Sequence, residues 1–375
     1  MNIRKSAFRI LIAALLATAA FGQTAPRAFD SAAPAEGRFR LTVFYPSLGT
    51  IQDILALKEK GLLPIPDLEV VGVHHARERT NYAASEKFVK DKGLSWIHFH
   101  ALTAEIGPET LYKSGPVSEE LRRIFDLSDG VVFFGGPDIV PSLYGEPTSL
   151  LTVIDDPFRH YIELAAVFQL IGGSQDPAVK PYLEARPDFP VLGICLGMQT
   201  LNVGAGGTMI QDVRSESYFA RTYEDVIALG PANWHTNPYP RLHPLERGLI
   251  PYMLHPIKFR EGARIPAALG LGGAERPYIM SAHHQAVEKL GRGLRIAATS
   301  LDDRIVEALE HERFPNVLGV QFHPEFRMLW ETEPRYKVAP GDAEAFACRT
   351  FLEAHPPSFD FHKKLWAWFF GKLNK

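Results

Sequence analysis

The apolar and polar positions change period along the chain. In "RFRLTVFYP", from Arg38, the residues Phe39, Leu41, Val43 and Tyr45 alternate with polar neighbours, a period of two that predicts a strand. "TIQDILALKEKGLL" then places Ile51, Ile54 and Leu55 on one face, with Thr50 as N-cap and Asp53 three residues on, which predicts a helix. "LEVVGVHH" and "LSWIHFHAL" read as short apolar strands, separated by a polar helical stretch from Asn81 to Lys92. "EELRRIF" and "RHYIELAAVFQLI" carry helical patterns, while "DGVVFFGGPD" and "FPVLGIC" are strands. This alternation indicates βαβ units and an α/β fold, a mostly parallel, doubly wound sheet with helices on both faces. Ligands of such sheets bind at the carboxyl ends of the strands. From Ser217 to about Ala274 the chain is rich in Pro, Gly, His and Tyr, and irregular or short-stranded structure over one edge is expected there.

The two ends follow other patterns. Arg4, Lys5 and Arg9 precede an apolar run from Ile10 to Phe21. A bilayer span needs roughly 20 apolar residues, so the run is too short for one. Ala17-Thr18-Ala19 and Ala20-Phe21-Gly22 supply small residues at the spacing a signal peptidase reads. The expected division is a signal peptide over 1–22, a flexible leader over 23–37, one domain over 38–355 and an aromatic, basic tail over 356–375. An exported protein, periplasmic or secreted, is the expectation. The tail, "FDFHKKLWAWFFGKLNK", aligns His362, Trp366, Phe369 and Leu373 on one helical stripe. Such a stripe docks on the domain or rests weakly on an anionic membrane surface.

Composition narrows the function classes little. The chain has 375 residues, 46% hydrophobic and 22% charged, with a net charge of −3. Those values are ordinary for a globular protein and offer no electrostatic case for nucleic acid. A homo-oligomer is compatible with them.

The two cysteines say more. Cys348 lies in a helical pattern, "DAEAFACRTFLEAH", and reads as a small buried thiol. Its pairing with Cys195 suits no disulfide scaffold. In "FPVLGICLGMQTL", Gly193 and Gly197 flank Cys195 two residues away on either side, between a strand and a helix. That is the pattern of a nucleophile elbow, whose tight turn demands small neighbours. A cysteine at a helix N-terminus is favoured as thiolate. The base such a nucleophile needs is His323 in "LGVQFHPEF", with Glu325 beyond one proline. Residues two apart in an extended segment point the same way, so Glu325 can accept the ring N–H of His323 and leave its other nitrogen for the cysteine. A further strand ends in Gly135-Gly136, where amides approach a ligand unobstructed. The amides of Gly136 and Leu196 are the expected oxyanion donors. His235, His243 and His255, at spacings of eight and twelve residues, suit no standard metal site, and no metal is expected.

Taken together, G-x-C-x-G-x-Q, H-P-E and the preceding G-G-P loop resemble the class I glutamine amidotransferase superfamily. Within it the γ-glutamyl-γ-aminobutyrate hydrolase branch is most similar. "DGVVFFGGPDIVPSLYGE", "FPVLGICLGMQTLNVGAGGTMIQDV", "SAHHQAVEKLGRGLRIAATSLDDRIVEALE" and "LGVQFHPE" resemble that branch in order, over about residues 120–352. The resemblance implies a flavodoxin-like sheet, a Cys195–His323–Glu325 triad, and no cofactor. It implies hydrolysis of γ-glutamyl amide or peptide bonds, in a small-molecule substrate, through a γ-glutamyl thioester on Cys195. Gln199 matches the position that contacts the glutamyl side of the substrate. "SAHHQAV", with His283, His284 and Gln285, matches a loop at the active-site entrance. Residues 46–118 are longer than the usual first unit, and residues 233–255 match the branch only loosely.

Two other functions fit the same motifs. A glutaminase subunit would supply ammonia to a separate synthetase. Against it, no synthetase domain reads in this chain, and an exported protein would not meet an ATP-dependent partner. A catalytically silent protein that binds a γ-glutamyl ligand has no physical need of an intact cysteine, histidine and glutamate.

Overall fold

The computed structural model describes residues 27–30 and 37–373. The apolar run read as a signal peptide lies outside them. Its strands are β1 (Phe39–Phe44), β2 (Leu68–His75), β3 (Ile97–Leu102), β4 (Gly130–Phe133), β5 (Val191–Ile194), β6 (Met209–Ile210), β7 (Met253–Phe259), β8 (Tyr278–Ser281), β9 (Ala286–Val287), β10 (Leu294–Ser300), β11 (Val306–His311) and β12 (Val317–Val320). Ten of them form one sheet in the order β3-β2-β1-β4-β5-β12-β11-β10-β7-β8, and β6 pairs with β9. Neighbours from β3 through β12 run parallel. Those from β12 to β8 run antiparallel. The protein is thus a doubly wound, flavodoxin-like α/β fold extended by an antiparallel half. The long segment 46–118 resolves into two helix–strand units that build the β2–β3 edge.

Side-chain alternation sorts the strands onto two cores. On one face Leu41, Val43, Val70, Val132, Leu192 and Ile194 pack under α1 (Leu48–Glu59), with Phe88 and Val89 of α2 (Tyr82–Asp91) at its margin. On the other, Phe44, Val71, Val73, Val131, Phe133 and Val191 meet α3 (Pro116–Asp126), α4 (Pro157–Ile171) and α5 (Leu196–Gly204). The cap of helix α1 falls three residues before the expected one. Ser47, not Thr50, is the N-cap, and its hydroxyl accepts from the Thr50 N–H. A serine at that position satisfies one of the orphan N–H groups of the first turn, that of Thr50.

Two expected boundaries also move. Arg27–Asp30, inside the span read as a flexible leader, is held against β3. Phe29 is fully buried there, and its N–H donates to His100 Nδ1. The tail forms a helix, Ser358–Leu373, whose stripe of His362, Trp366, Phe369 and Leu373 is buried in the first core. The Trp366 indole donates to the Pro324 carbonyl at 3.1 Å, so this helix braces the His-Pro-Glu segment. Residues 217–274 carry three short helices but also β7, a seven-residue strand inside the main sheet. Among the described residues no helix is long and apolar enough to cross a membrane.

Candidate active site

Strand order reverses between β1 and β4, where neighbouring connections leave in opposite directions and open a crevice. The loops after β4, β5 and β12 converge beside it. Cys195 caps α5 with φ 53° and ψ −107°, a left-handed conformation unfavourable for a side chain and characteristic of the elbow. Two glycines permit the turn. A Cβ on Gly193 would lie 2.6 Å from the backbone of Gly197, and one on Gly197 would collide with the Phe133 carbonyl oxygen. Gly197→Ala is therefore expected to cost about 3 kcal/mol or more, because backbone rather than a flexible side chain must yield. Thermal melts check this. Gly371→Ala, on the open face of the last helix with nothing within 4 Å, is expected to gain about 0.5–1 kcal/mol instead.

The structure brings Cys195, His323 and Glu325 together. Glu325 Oε1 accepts from His323 Nδ1 at 2.7 Å, and the His323 ring and Cys195 both lie against Gly135. Phe326 stacks on the His323 ring at 4.1 Å and fixes its plane. All three polar residues are buried; Cys195 is 6% exposed and belongs to the first core rather than projecting clear of it. Burial opposes a charged His323, but the charges of Glu325 and Cys195 and the hydrogen bonds to both hold its pKa up to about 10. Nearby, Asp53 is pushed up to about 7, by burial first and the Glu325 charge second.

Because the folded pKa of His323 lies above its ordinary 6.5, its stabilisation is complete below about pH 6.5 and is lost as pH rises through about 10. Glu325→Gln removes the largest charge that sustains it. The variant is expected to lose about 1.5–3 kcal/mol near neutrality. It should also show a shallower fall in Tm between pH 7 and 10 than the parent. An unchanged alkaline slope would mean that Glu325 does not control the imidazole.

Arg159, which sequence reading missed, organises the Gly135-Gly136 loop. It is buried on α4, pairs with Glu163 at 2.8 Å, stacks over Tyr45 at 3.6 Å, and donates to the carbonyls of Phe134 and Gly135. A trans peptide sets N–H opposite C=O, so this grip on the Gly135 carbonyl turns the Gly136 N–H away from the guanidinium. A Cβ at Gly136 would collide with Arg159 Nη1. The signal lay in the i, i+4 Arg159–Glu163 pair within a predominantly apolar helix. Gln321, two residues before His323, was also missed; its amide approaches Cys195 Sγ at 3.6 Å.

Gln199 is buried one turn along α5, donating to the Gln285 carbonyl and to Gln321 Oε1, both at 3.3 Å. The Gln285 side-chain amide is buried with neither atom partnered. His284 sits between Asp138 at 3.0 Å and Asp212 at 3.4 Å. Burial works against its charge, yet those two carboxylates raise its pKa to about 9. It edges a cleft of about 570 Å³ that also takes in Val153, Arg214, Thr236, Asn237 and Arg241. His283 points elsewhere. It joins His235, His255 and Glu307 in a buried cluster, while His243 is exposed.

This fold and cysteine elbow define a class I glutamine amidotransferase-like protein. The chain belongs to the Peptidase C26 family, whose model matches residues 69–325. It is similar to the glutamine amidotransferase-like protein YvdE of Lactococcus lactis, 32% identical over 58% of this chain and 73% of that protein. The γ-glutamyl-γ-aminobutyrate hydrolase PuuD of Escherichia coli is 26% identical over 68% and 85%. A crystal structure of a glutamine amidotransferase from Thermotoga maritima aligns over 90% of this chain and 99% of that one, with 12% identity and a TM-score of 0.39.

Proposed function

We propose that the protein is a cysteine hydrolase that cleaves γ-glutamyl amide bonds through a γ-glutamyl thioester on Cys195. The observation that carries this reading is a positive-φ cysteine elbow that sets Cys195 beside His323, whose ring is held by Glu325 at 2.7 Å. The Cys195 thiolate attacks the γ-carbonyl, and the amides of Leu196 and Gly136 receive the oxyanion. His323 gives its proton to the departing amine, which leaves the thioester. Water, losing a proton to His323, then releases glutamate and the free thiol. The choice of a γ-glutamyl substrate is supported by the likeness to PuuD, whose name states that activity. Gln285 supplies buried hydrogen-bonding capacity that the fold leaves unspent. In this reading the protein is exported on its N-terminal segment, and N-terminal sequencing of the mature form checks that cleavage falls after residue 19 or 22.

The names of other relatives, such as the glutamine amidotransferase Rv2859c of Mycobacterium tuberculosis, favour the second reading, an ammonia-supplying glutaminase. Assay of the purified protein alone against a panel of γ-glutamyl and α-glutamyl amides separates the two. Release of glutamate from γ-linked compounds without added protein or nucleotide supports the hydrolase. Silence that a synthetase partner relieves supports the glutaminase.

A further inference from the structure

The buried cluster around Glu307 has an electrostatic problem that hydrogen bonds alone leave open. His235 follows a short helical turn, His255 lies on β7, His283 follows β8 and Glu307 lies on β11. All four side chains are at least 95% buried. Glu307 Oε1 stands 3.3 Å from His235 Nδ1, 3.6 Å from His255 Nε2 and 3.9 Å from His283 Nε2. Yet neither oxygen of Glu307 has a hydrogen-bond partner, nor has His255 Nε2.

The tautomers sharpen the problem. His283 Nδ1 lies 2.8 Å from the Gln285 carbonyl, and His255 Nδ1 lies 3.3 Å from that of Pro256. A carbonyl only accepts, so both Nδ1 atoms carry the proton and both Nε2 atoms present lone pairs. His283 Nε2 shares a hydrogen bond with His235 Nδ1 at 3.2 Å, which leaves the His255 Nε2 lone pair and the Glu307 carboxylate facing each other unanswered. Something positive belongs between them. A proton on Glu307 would answer this contact, and so would a metal cation, which would in addition draw His235 and His283 to one centre.

The spacing fits a metal. Zinc holds nitrogen and oxygen ligands at about 2.0–2.1 Å, which sets the ligand atoms of a tetrahedron about 3.3–3.4 Å apart. The His235–His283 separation is 3.2 Å and the His235–Glu307 separation 3.3 Å, and ligand atoms of these three residues all lie within 4.8 Å. The carbonyls on His283 and His255 are the outer partners that orient ligating imidazoles. We propose that His235, His283 and Glu307 form a buried site for a divalent transition metal of the zinc type, with His255 beside Glu307. The site ties the antiparallel half of the sheet to the His283–Gln285 turn, whose Gln285 carbonyl receives Gln199. It has no step in the hydrolysis, so its test is independent of that reading.

Full-length protein from zinc-supplemented culture should retain about one zinc per chain after dialysis. Zinc should be lost in Glu307→Gln and His283→Ala but kept in His243→Ala. Should the first two variants fail to fold, cobalt decides the matter on the parent protein. Chelator-stripped protein reloaded with Co²⁺ should show the intense visible bands of a tetrahedral site, and its Tm should rise with the metal. Parent protein that keeps no zinc and takes up no cobalt would overturn the proposal and leave a proton-shared cluster. Zinc retained in folded Glu307→Gln and His283→Ala would overturn it equally.

Discussion

Cys195→Ala is expected to lower γ-glutamyl hydrolysis by on the order of 10⁴-fold or more, since the covalent route disappears and only positioned donors remain. Its stability should fall by only about 1 kcal/mol. The thiol is buried, so some packing is lost, but alanine keeps the backbone and leaves little space behind. A variant that is inactive because it is unfolded would show a collapsed melt; this one should not. Alkylation supplies an independent readout. Cys348 is fully buried, and burial pushes its thiol up to about 12, so iodoacetamide should modify Cys195 first in the folded protein. Equal rates at the two cysteines would contradict the environment described for Cys195.

The second large effect concerns the last helix. Phe361, Leu365, Trp366, Phe369, Phe370 and Leu373 are each no more than 2% exposed. Fully burying one such side chain contributes about 1.5–3 kcal/mol, so together they rival the about 5–15 kcal/mol that stabilises a whole domain. Removing residues 358–375 should therefore abolish soluble, cooperatively melting protein. A milder change, Trp366→Ala, should cost about 3–5 kcal/mol. It should also disturb the site, because the indole holds the Pro324 carbonyl between His323 and Glu325. A truncated chain that melts like the parent would show that the helix is an appendage.

That helix also shows where sequence reading stops. The stripe of His362, Trp366, Phe369 and Leu373 was legible, but an apolar stripe with flanking lysines looks the same whether its partner is a bilayer or a sheet. The parallel half of the fold was legible for a related reason: each strand and helix there carries its own period and its own turn signal. The antiparallel half was not, because β7 lies in a stretch dominated by Pro, Gly and His, and its pairing with β10 is set by tertiary contacts. At the site, Cys195, His323 and Glu325 were legible because elbow and H-P-E geometry are local. Arg159 and Gln321 reach the Gly135-Gly136 loop and Cys195 across the fold, at sequence distances no spacing rule spans. The histidines illustrate the same limit. Their intervals gave no sign that His235 and His255 would meet His283 and Glu307 from other strands in one buried cluster, with His243 left exposed.

A γ-glutamyl thioester on Cys195 that lies on the path must partition between competing nucleophiles. Hydroxylamine competes with water for a thioester, giving γ-glutamyl hydroxamate and the free thiol. Two γ-glutamyl amides with different amines, turned over at the same hydroxylamine concentration, should give the same ratio of hydroxamate to glutamate, because both pass through one intermediate that has already lost its amine. A ratio that changes with the leaving amine, or turnover with no hydroxamate at all, would contradict the thioester and with it the role assigned to Cys195.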